Sequence, residues 1–384
     1  MHTTRFALSA FILLISSDLV ATAQPCVYSL NAGGQVFAPA GGSGSVAVSA
    51  PQTCPWTAMG TPSWVTLTSS VSGSGNGTLT YQVTANAGAD RSAAIAIAGI
   101  SFTVEQQAAT FPGLAFIGSM AHLAAQENWT TALTLVNKDT ISAIARLSLY
   151  GDALNPGGNG LLTLPLNFPQ QSSAALPLLA SSVDRPLAPN ASMTIDTAGA
   201  QIPPVLVGSA QLAATGSLDG FAIFHQIATQ QEAVVPLETR SASSYLLAFD
   251  NTNGLVLGVA VDNVSAQAAT IPVVIRNDTG MVLSAPDTTI SLAGSGHTSF
   301  VLADPVAGFP VTANIRGTIE FDQRAAGSAC SAFASHRRIT RSLPFRLWPM
   351  SESTAVPLHT SRLETAGKPR LCWSTRAPPR RRFT

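Results

Sequence analysis

The side chains that could perform acid–base, nucleophilic or metal chemistry are few and scattered along the chain. His122, His225 and His297 lie in three separate segments, with no acid or nucleophile at a telling spacing. The run GGSGS is a Gly/Ser turn and lacks the G-x-S-x-G pattern, no Cys/His group has zinc spacing, and no Gly-rich phosphate loop occurs. The sequence therefore predicts a protein that is not an enzyme and has no catalytic residue, metal site or cofactor.

One short acidic segment offers oxygen ligands. The run DNTNG places Asp250, Asn251 and Asn253 close together. A calcium loop is longer and ends in a bidentate glutamate, which this segment lacks. Asn and Gly are also the residues that tight turns favour, so the sequence predicts a turn here.

Aromatic residues are the better candidates for binding. The stretch CPWTAMGTPSW contains Trp56 and Trp64. Trp56 follows a cysteine, which predicts a core position against a disulfide. Trp64 opens a strand on which it alternates with Thr66, so it either stacks on a pyranose ring or closes the end of a sandwich. Tyr28 is a further candidate ligand-binding residue, whereas Tyr81 alternates with core residues and is expected to be buried.

The N-terminus resembles a secretory signal peptide. Arg5 is followed by an apolar stretch at 6–15 that is too short to cross a bilayer, and Ala21-Thr22-Ala23 is an A-x-A cleavage site. We therefore expect residues 1–23 to be removed and no membrane span in the mature chain, with an uncleaved anchor as the alternative. The protein is expected to be secreted, outside the cell or in the cell envelope of a bacterium.

Export permits disulfides, and Cys26 and Cys54 are the only cysteines in the first 329 residues. They flank a segment that should fold back on itself, so a bridge is reasonable. Such a bridge would stabilise the fold by about 3–4 kcal/mol on a loop-entropy basis. Two buried free thiols are the alternative.

Residues 24–108 alternate as short strands separated by turn sequences such as GGSG, SGSGNG and NAGADR. About seven strands at this spacing predict a small β-sandwich. The positions expected to face its core are Val46, Val48, Leu79, Tyr81, Val83, Ile95, Ile97, Phe102 and Val104.

This module resembles the BACON family, named for Bacteroidetes-associated carbohydrate-binding domains that are often N-terminal. The resemblance is carried by CVYSL, GGSGSVAVSA, CPWTA, SWVTLTS, SGSGNGTLTYQVTAN, DRSAAIAIAG and FTVEQQ. It implies an immunoglobulin-like β-sandwich on a secreted protein. The carbohydrate binding in the name is an inference made for the family.

The rest of the strand-rich chain contains a repeat. TTALTLVNKDTISAIARLSLYGDAL at 130–154 parallels GLVLGVAVDNVSAQAATIPVVIRNDTGMVL at 254–283, which aligns Asn137 with Asn263. The sequence predicts one β-sandwich at 111–240 and a second, truncated copy at 241–323. The pair resembles a tandem β-sandwich of secreted bacterial proteins of unknown function.

The composition changes after residue 323. Residues 1–323 hold 8 Lys and Arg against 18 Asp and Glu, a net charge of −10, whereas residues 324–384 hold 12 against 2, a net charge of +10. The tail contains Cys330 and Cys372 and shows no strand alternation. One interpretation is a basic arm for nucleic acid or an anionic surface. We favour a frameshift product, because back-translation two nucleotides out of frame allows an alternating strand, and sequencing codons 318–330 tests this.

The predicted fold class is all-β, with three tandem immunoglobulin-like β-sandwiches and a disordered basic tail. The predicted function is a secreted, non-catalytic binding or adhesion protein whose first module contacts polysaccharide or glycoprotein and not nucleic acid. Trp64 and Tyr28 are the candidate ligand-binding residues. The alternative is a structural spacer or stalk of a cell-surface protein with no glycan binding.

Overall fold

The fold is all-β, as the sequence predicted. The computed structural model describes residues 25–156, 158–170, 176–198, 203–240, 242–322 and 330–338. These residues form 27 strands and one 3-10 turn at Pro310–Thr312. Among them, no helix has the length and apolar character needed to span a membrane. The predicted signal peptide lies outside the described residues.

The first sandwich contains nine strands in two sheets. One sheet has the order β1-β3-β7-β5, and the other has the order β2-β9-β8-β4-β6. The strands are β1 (Ser29–Leu30), β2 (Gly34–Phe37), β3 (Gly42–Ser49), β4 (Pro55–Met59), β5 (Val65–Leu67), β6 (Ser72–Ser74), β7 (Gly77–Val83), β8 (Arg91–Ile97) and β9 (Ile100–Gln106).

The period-two pattern of this module decides which side chains form its core. All nine positions predicted to face inward are buried, and each is at most 2% exposed. Successive side chains of a strand point to opposite faces, so the intervening Ser, Thr and Ala residues face outward. The aromatic ring of Tyr81 packs edge-on between Phe37 and Phe102, at centroid distances of 5.9 and 6.0 Å.

The second sandwich follows from residue 115. Its first sheet has the order β10-β18-β12, with β13 and β16 both paired to the far edge of β12, and its second has the order β20-β19-β11-β17-β14-β15. The strands are β10 (Ala115–Ala125), β11 (Trp129–Asn137), β12 (Ala143–Gly151), β13 (Gly160–Leu161), β14 (Leu164–Asn167), β15 (Leu178–Ala180), β16 (Ser182–Leu187), β17 (Ser192–Thr197), β18 (Leu206–Ala214), β19 (Leu218–Gln226) and β20 (Gln231–Pro236).

The third sandwich has sheets of order β21-β26-β23-β24 and β25-β22-β27. The strands are β21 (Ser244–Asp250), β22 (Leu255–Asn263), β23 (Ala269–Asn277), β24 (Thr289–Leu292), β25 (His297–Val301), β26 (Arg316–Asp322) and β27 (Cys330–Arg338).

The last of these strands corrects one expectation. The sequence predicted no strand after residue 323, yet β27 pairs antiparallel with β22 from Cys330 opposite Asn263 to Arg338 opposite Leu255. Backbone pairing needs no apolar alternation, and the free edge of β22 would otherwise leave its N–H and C=O groups without strand partners. Residues 323–329 and 339–384 lie outside the described residues, and the frameshift interpretation stays a prediction.

The second and third sandwiches have matching strand orders. The order β10-β18-β12-β16 corresponds to β21-β26-β23-β24, and β19-β11-β17 corresponds to β27-β22-β25. The aligned residues Asn137 and Asn263 also play the same part. In each, the buried amide nitrogen donates to the carbonyl four residues on, at 2.9 and 2.7 Å, and the amide oxygen accepts the N–H two residues on, at 3.0 Å.

The first two sandwiches share one sheet. β15 pairs in parallel with β2, with Leu178 opposite Gly34 and Ala180 opposite Val36, which makes a continuous sheet of eleven strands. The Nε2 of Gln107 adds hydrogen bonds across the junction to Ser182 Oγ at 3.1 Å and Asp184 Oδ1 at 3.0 Å. The two modules are therefore joined by backbone pairing and by side-chain hydrogen bonds.

Candidate functional site

The disulfide and the first tryptophan form one end of the first sandwich. Cys26 and Cys54 are joined, with their Cα atoms 5.5 Å apart, and the bridge ties the two sheets together because Cys26 precedes β1 and Cys54 precedes β4. Trp56 is buried and its Nε1 donates to the carbonyl of Gly75 at 2.9 Å. Its ring fills the space over Gly73, where an added Cβ would lie 2.4 Å from Cζ2. The predicted core role of Trp56 is confirmed.

Tyr81 is a core residue as predicted. Its side chain is 1% exposed, and its hydroxyl donates to Gln35 Oε1 at 2.6 Å. Burial raises the pKa of this hydroxyl far above its usual value. Tyr81 is thus unavailable to a ligand.

Trp64 is half-buried at the edge of the first core. The guanidinium carbon of Arg91 lies 4.6 Å above the centre of its ring, a cation–π contact. Arg91 is held in place because its Nε donates to Gln106 Oε1 at 2.9 Å and its Nη2 donates to the carbonyls of Thr84 and Ala85 at 3.0 and 3.2 Å. One face of the indole is therefore occupied, and a sugar ring cannot stack on that face while Arg91 stays in place.

Tyr28 is also half-buried, and its hydroxyl donates to the carbonyl of Pro55 at 2.6 Å. It precedes β1, which pairs with β3 at Ser49, whereas Trp64 precedes β5, at the opposite edge of the same sheet and at the level of Gly42. Three strand spacings of about 4.8 Å and seven residues of about 3.3 Å separate these corners by on the order of 25 Å. The structure does not bring Trp64 and Tyr28 into one site.

The outer face of the four-stranded sheet lies between these corners. Its strands β1, β3, β5 and β7 contain no charged residue, and the face carries hydroxyl and amide groups. Some of these groups bond to each other, as Ser43 Oγ does to Gln82 Oε1 at 2.8 Å and Thr68 to Thr80 at 2.8 Å. The exposed polar side chains of the face include Ser29, Ser43, Ser45, Ser49, Thr66, Thr68, Thr78 and Gln82.

The DNTNG segment forms a turn. Asp250 accepts hydrogen bonds from the backbone and hydroxyl of Thr252 and from Arg316, and these contacts lower its pKa to about 2. Asn253 and Gly254 have φ values of +53° and +75°, the left-handed conformation that Asn and Gly tolerate best. Asn251 is buried, and its Nδ2 donates to the carbonyl of Thr312 at 3.1 Å.

Sequence analysis missed one cluster of titratable groups. His122 of β10, Asp152 after β12 and His297 of β25 meet between the second and third sandwiches, and none is more than 3% exposed. The Nδ1 of His297 lies 3.0 Å from Asp152 Oδ2, and its Nε2 lies 3.3 Å from the Nδ1 of His122. The two histidines are 175 residues apart in sequence, so no local spacing could have revealed the pair.

His225, the third histidine considered in the sequence, belongs to a different environment. The Nδ1 of His225 lies 3.0 Å from Glu232 Oε1 on the neighbouring strand β20, and the histidine side chain is 25% exposed. This is an ordinary cross-strand polar contact at the surface. Among the described residues, His225 makes no hydrogen bond to the buried cluster of Asp152, His297 and His122.

Comparison with known proteins agrees with the sequence resemblance of the first sandwich. Residues 55–107 match the BACON family model, described as "Putative binding domain, N-terminal". The match begins at β4 and ends one residue after β9, which is shorter than the predicted range of 24–108. No curated protein matches the chain. The first sandwich therefore contains a BACON domain, a domain described as binding.

Proposed function

We propose that this chain is a secreted, non-catalytic binding protein whose first sandwich contacts polysaccharide or a glycoprotein glycan through the outer face of the sheet β1-β3-β7-β5. The observation that supports this best is the chemistry of that face, which is exposed, uncharged and rich in hydroxyl and amide groups. Such groups both donate and accept, as sugar hydroxyls do. The BACON match, over residues 55–107 of this sandwich, supports a binding role.

Trp64 lies at one corner of the proposed surface. Trp64 lies two residues before the exposed Thr66, so the two side chains point to the same side of the strand. Because Arg91 covers one face of the ring, a sugar would meet the exposed edge of the indole and the guanidinium. The Nη1 of Arg91 donates no hydrogen bond to any described residue, so it is available to a sugar hydroxyl.

The experiment is a pull-down of the full chain on insoluble and soluble polysaccharides, with wild type beside Trp64→Ala and Thr66→Val. The full chain is needed because β2 would lose its partner β15 in the isolated first sandwich. Trp64→Phe is a second variant that keeps an aromatic ring packed against the core. We expect Trp64→Ala and Thr66→Val to weaken retention at least tenfold.

Tyr28→Phe is the matched control, because it removes a hydroxyl at the far corner of the same sheet. It should bind as wild type does. Retention that is lost in Tyr28→Phe and kept in Trp64→Ala would move the site to the disulfide end. A wild-type chain that no glycan retains would contradict the proposal.

A second function, a structural spacer, is favoured by one specific observation. The eleven-stranded sheet joins the first two sandwiches through backbone pairing, as a rigid spacer requires. A spacer would show no glycan retention in the same pull-down, and neither Trp64 variant would alter it.

A further inference from the structure

The junction between the second and third sandwiches contains one carboxylic acid and two histidines in contact with each other. Asp152 and His122 belong to the second sandwich, whereas His297 opens β25 in the third. Asp152 and His297 also form an isolated parallel backbone bridge. The ring of His122 packs against Phe224 at a centroid distance of 4.9 Å and against His297 at 5.4 Å. The three polar side chains thus form a chain that crosses the junction.

The hydrogen-bond roles along this chain are restricted. An ionised Asp152 can only accept, so the Nδ1 of His297 must carry a hydrogen. The Nε2 of His297 and the Nδ1 of His122 face each other at 3.3 Å, and one hydrogen between them makes a bond. If both rings were imidazolium, two N–H groups and two positive charges would meet at that distance. The docked junction therefore accommodates at most one charged histidine.

From this geometry we infer that the Asp152–His297–His122 chain is a pH-sensitive latch, which holds the third sandwich against the second at neutral pH and releases it in acid. In the released state both histidines reach water and each can take a proton from solvent. In the docked state only one of the two histidines can be charged, so the chain binds one proton fewer than in the released state. Acid therefore favours release.

The direction of the effect follows from His122. Burial, together with the neighbouring His297, holds the pKa of His122 well below its usual value in the docked state. The released state therefore binds more protons below about pH 6.5, the ordinary histidine pKa. Docking is fully favoured above that pH and weakens as the pH falls through it. One histidine with these properties shifts the docked-to-released ratio roughly 25-fold between pH 7 and pH 5.

Other charged groups near β10 are few. Strands β11 and β18, which pack against β10, carry none. Asp262 of β22 is buried and in register with His297, so it is the second acid of the junction. Three further groups each have a partner: Asp219 with Lys138, His225 with Glu232, and Glu238 with Arg240. The basic residues of β27, His336, Arg337 and Arg338, lie opposite Leu255–Leu257, at the other end of β22 from Asp262.

The test is amide hydrogen exchange of the full chain at pH 7.0 and pH 5.0, corrected for the intrinsic exchange rate. The reporting segments are β10 and β25, and β9 in the first sandwich is the internal reference. His122→Gln keeps a hydrogen-bonding group that does not titrate, and His122→Leu replaces it with an apolar side chain against Phe224. His225→Gln is the matched control, because that histidine lies outside the junction.

We expect protection of β10 and β25 to fall roughly 25-fold at pH 5 in wild type and in His225→Gln. Protection of β9 should not change, and neither His122 variant should show the loss. A wild-type junction that is equally protected at both pH values would overturn the latch. A loss that persists in either His122 variant would overturn it as well.

Discussion

The two junctions of this molecule are built from different chemistry. The first and second sandwiches are joined by the backbone pairing of β15 with β2, within one sheet. The second and third meet at one isolated backbone bridge between Asp152 and His297, and through the buried side chains of Asp152, His297 and His122. Peptide groups do not titrate near neutral pH, whereas imidazoles do. In the part of the chain that the structure describes, the first junction therefore contains no group that ordinarily titrates between pH 5 and pH 7, since Asp184 is its acid, whereas the second contains two imidazoles.

This difference assigns different roles to the modules. The BACON domain and the second sandwich form one structural unit, so a ligand bound by the first sandwich is held at a fixed orientation to the second. The third sandwich is the part whose position depends on conditions. The predictions below test this division, from the largest expected effect to the smallest.

Removal of the disulfide should have the largest effect. The bridge closes a separation of 28 residues. We expect Cys26→Ala with Cys54→Ala to lower the free energy of unfolding of the first sandwich by about 3–4 kcal/mol, because the unfolded chain gains entropy. Urea denaturation of the full chain measures this. A reductant added to wild type is the control and should have the same effect, and a loss below about 1 kcal/mol would argue against the entropy account.

A substitution at the first junction should come next. An added Cβ at Gly34 would lie 2.4 Å from the carbonyl oxygen of Thr103 and 3.2 Å from Leu178, between β9 and β15. We expect Gly34→Ala to cost about 1–3 kcal/mol, since the close packing of β2 leaves no room. Gly88→Ala is the matched control, because its nearest atom, Asn86 Oδ1, is 3.6 Å away.

The Gly34 variant also tests whether the shared sheet couples the unfolding of the first sandwich to that of the second. Its loss of stability should appear in the unfolding of both the first and the second sandwich. A loss confined to the first sandwich would show that the shared sheet does not couple the two.

The smallest effect should come from the buried tyrosine. Tyr81→Phe removes the hydroxyl that donates to Gln35 Oε1 and leaves that oxygen buried without its partner. We expect a cost of about 1–2 kcal/mol in the first sandwich, with the same value at pH 5 and pH 7. Urea denaturation at the two pH values measures it, and a cost that varies with pH would contradict the assignment.

Sequence patterns could predict the core of the first sandwich because strand alternation is local. Val46, Leu79 and Ile95 each belong to a run in which apolar and small or polar residues alternate. The role of Trp56 followed from its neighbour Cys54. These features need only the period of a strand and the geometry of a sandwich.

The junctions could not be predicted in this way. β15 is three residues long and pairs with a strand more than 140 residues earlier, so no local pattern marks it. β27 consists largely of small and polar residues, and its place follows from its pairing with the edge of β22, which lies far from it in sequence. The position of Arg91 over Trp64 also depends on the pairing of distant strands, which is why the sequence left the exposure of Trp64 open.

Differential scanning calorimetry of the full chain at pH 7 and pH 5 tests the central claim most directly, because it separates cooperative units. The account predicts that the first and second sandwiches unfold in one transition at both pH values. It predicts that the third unfolds at a lower temperature at pH 5 than at pH 7, and that His122→Gln removes this shift. Separate transitions for the first and second sandwiches at pH 7, or an equal acid shift of every transition, would contradict it.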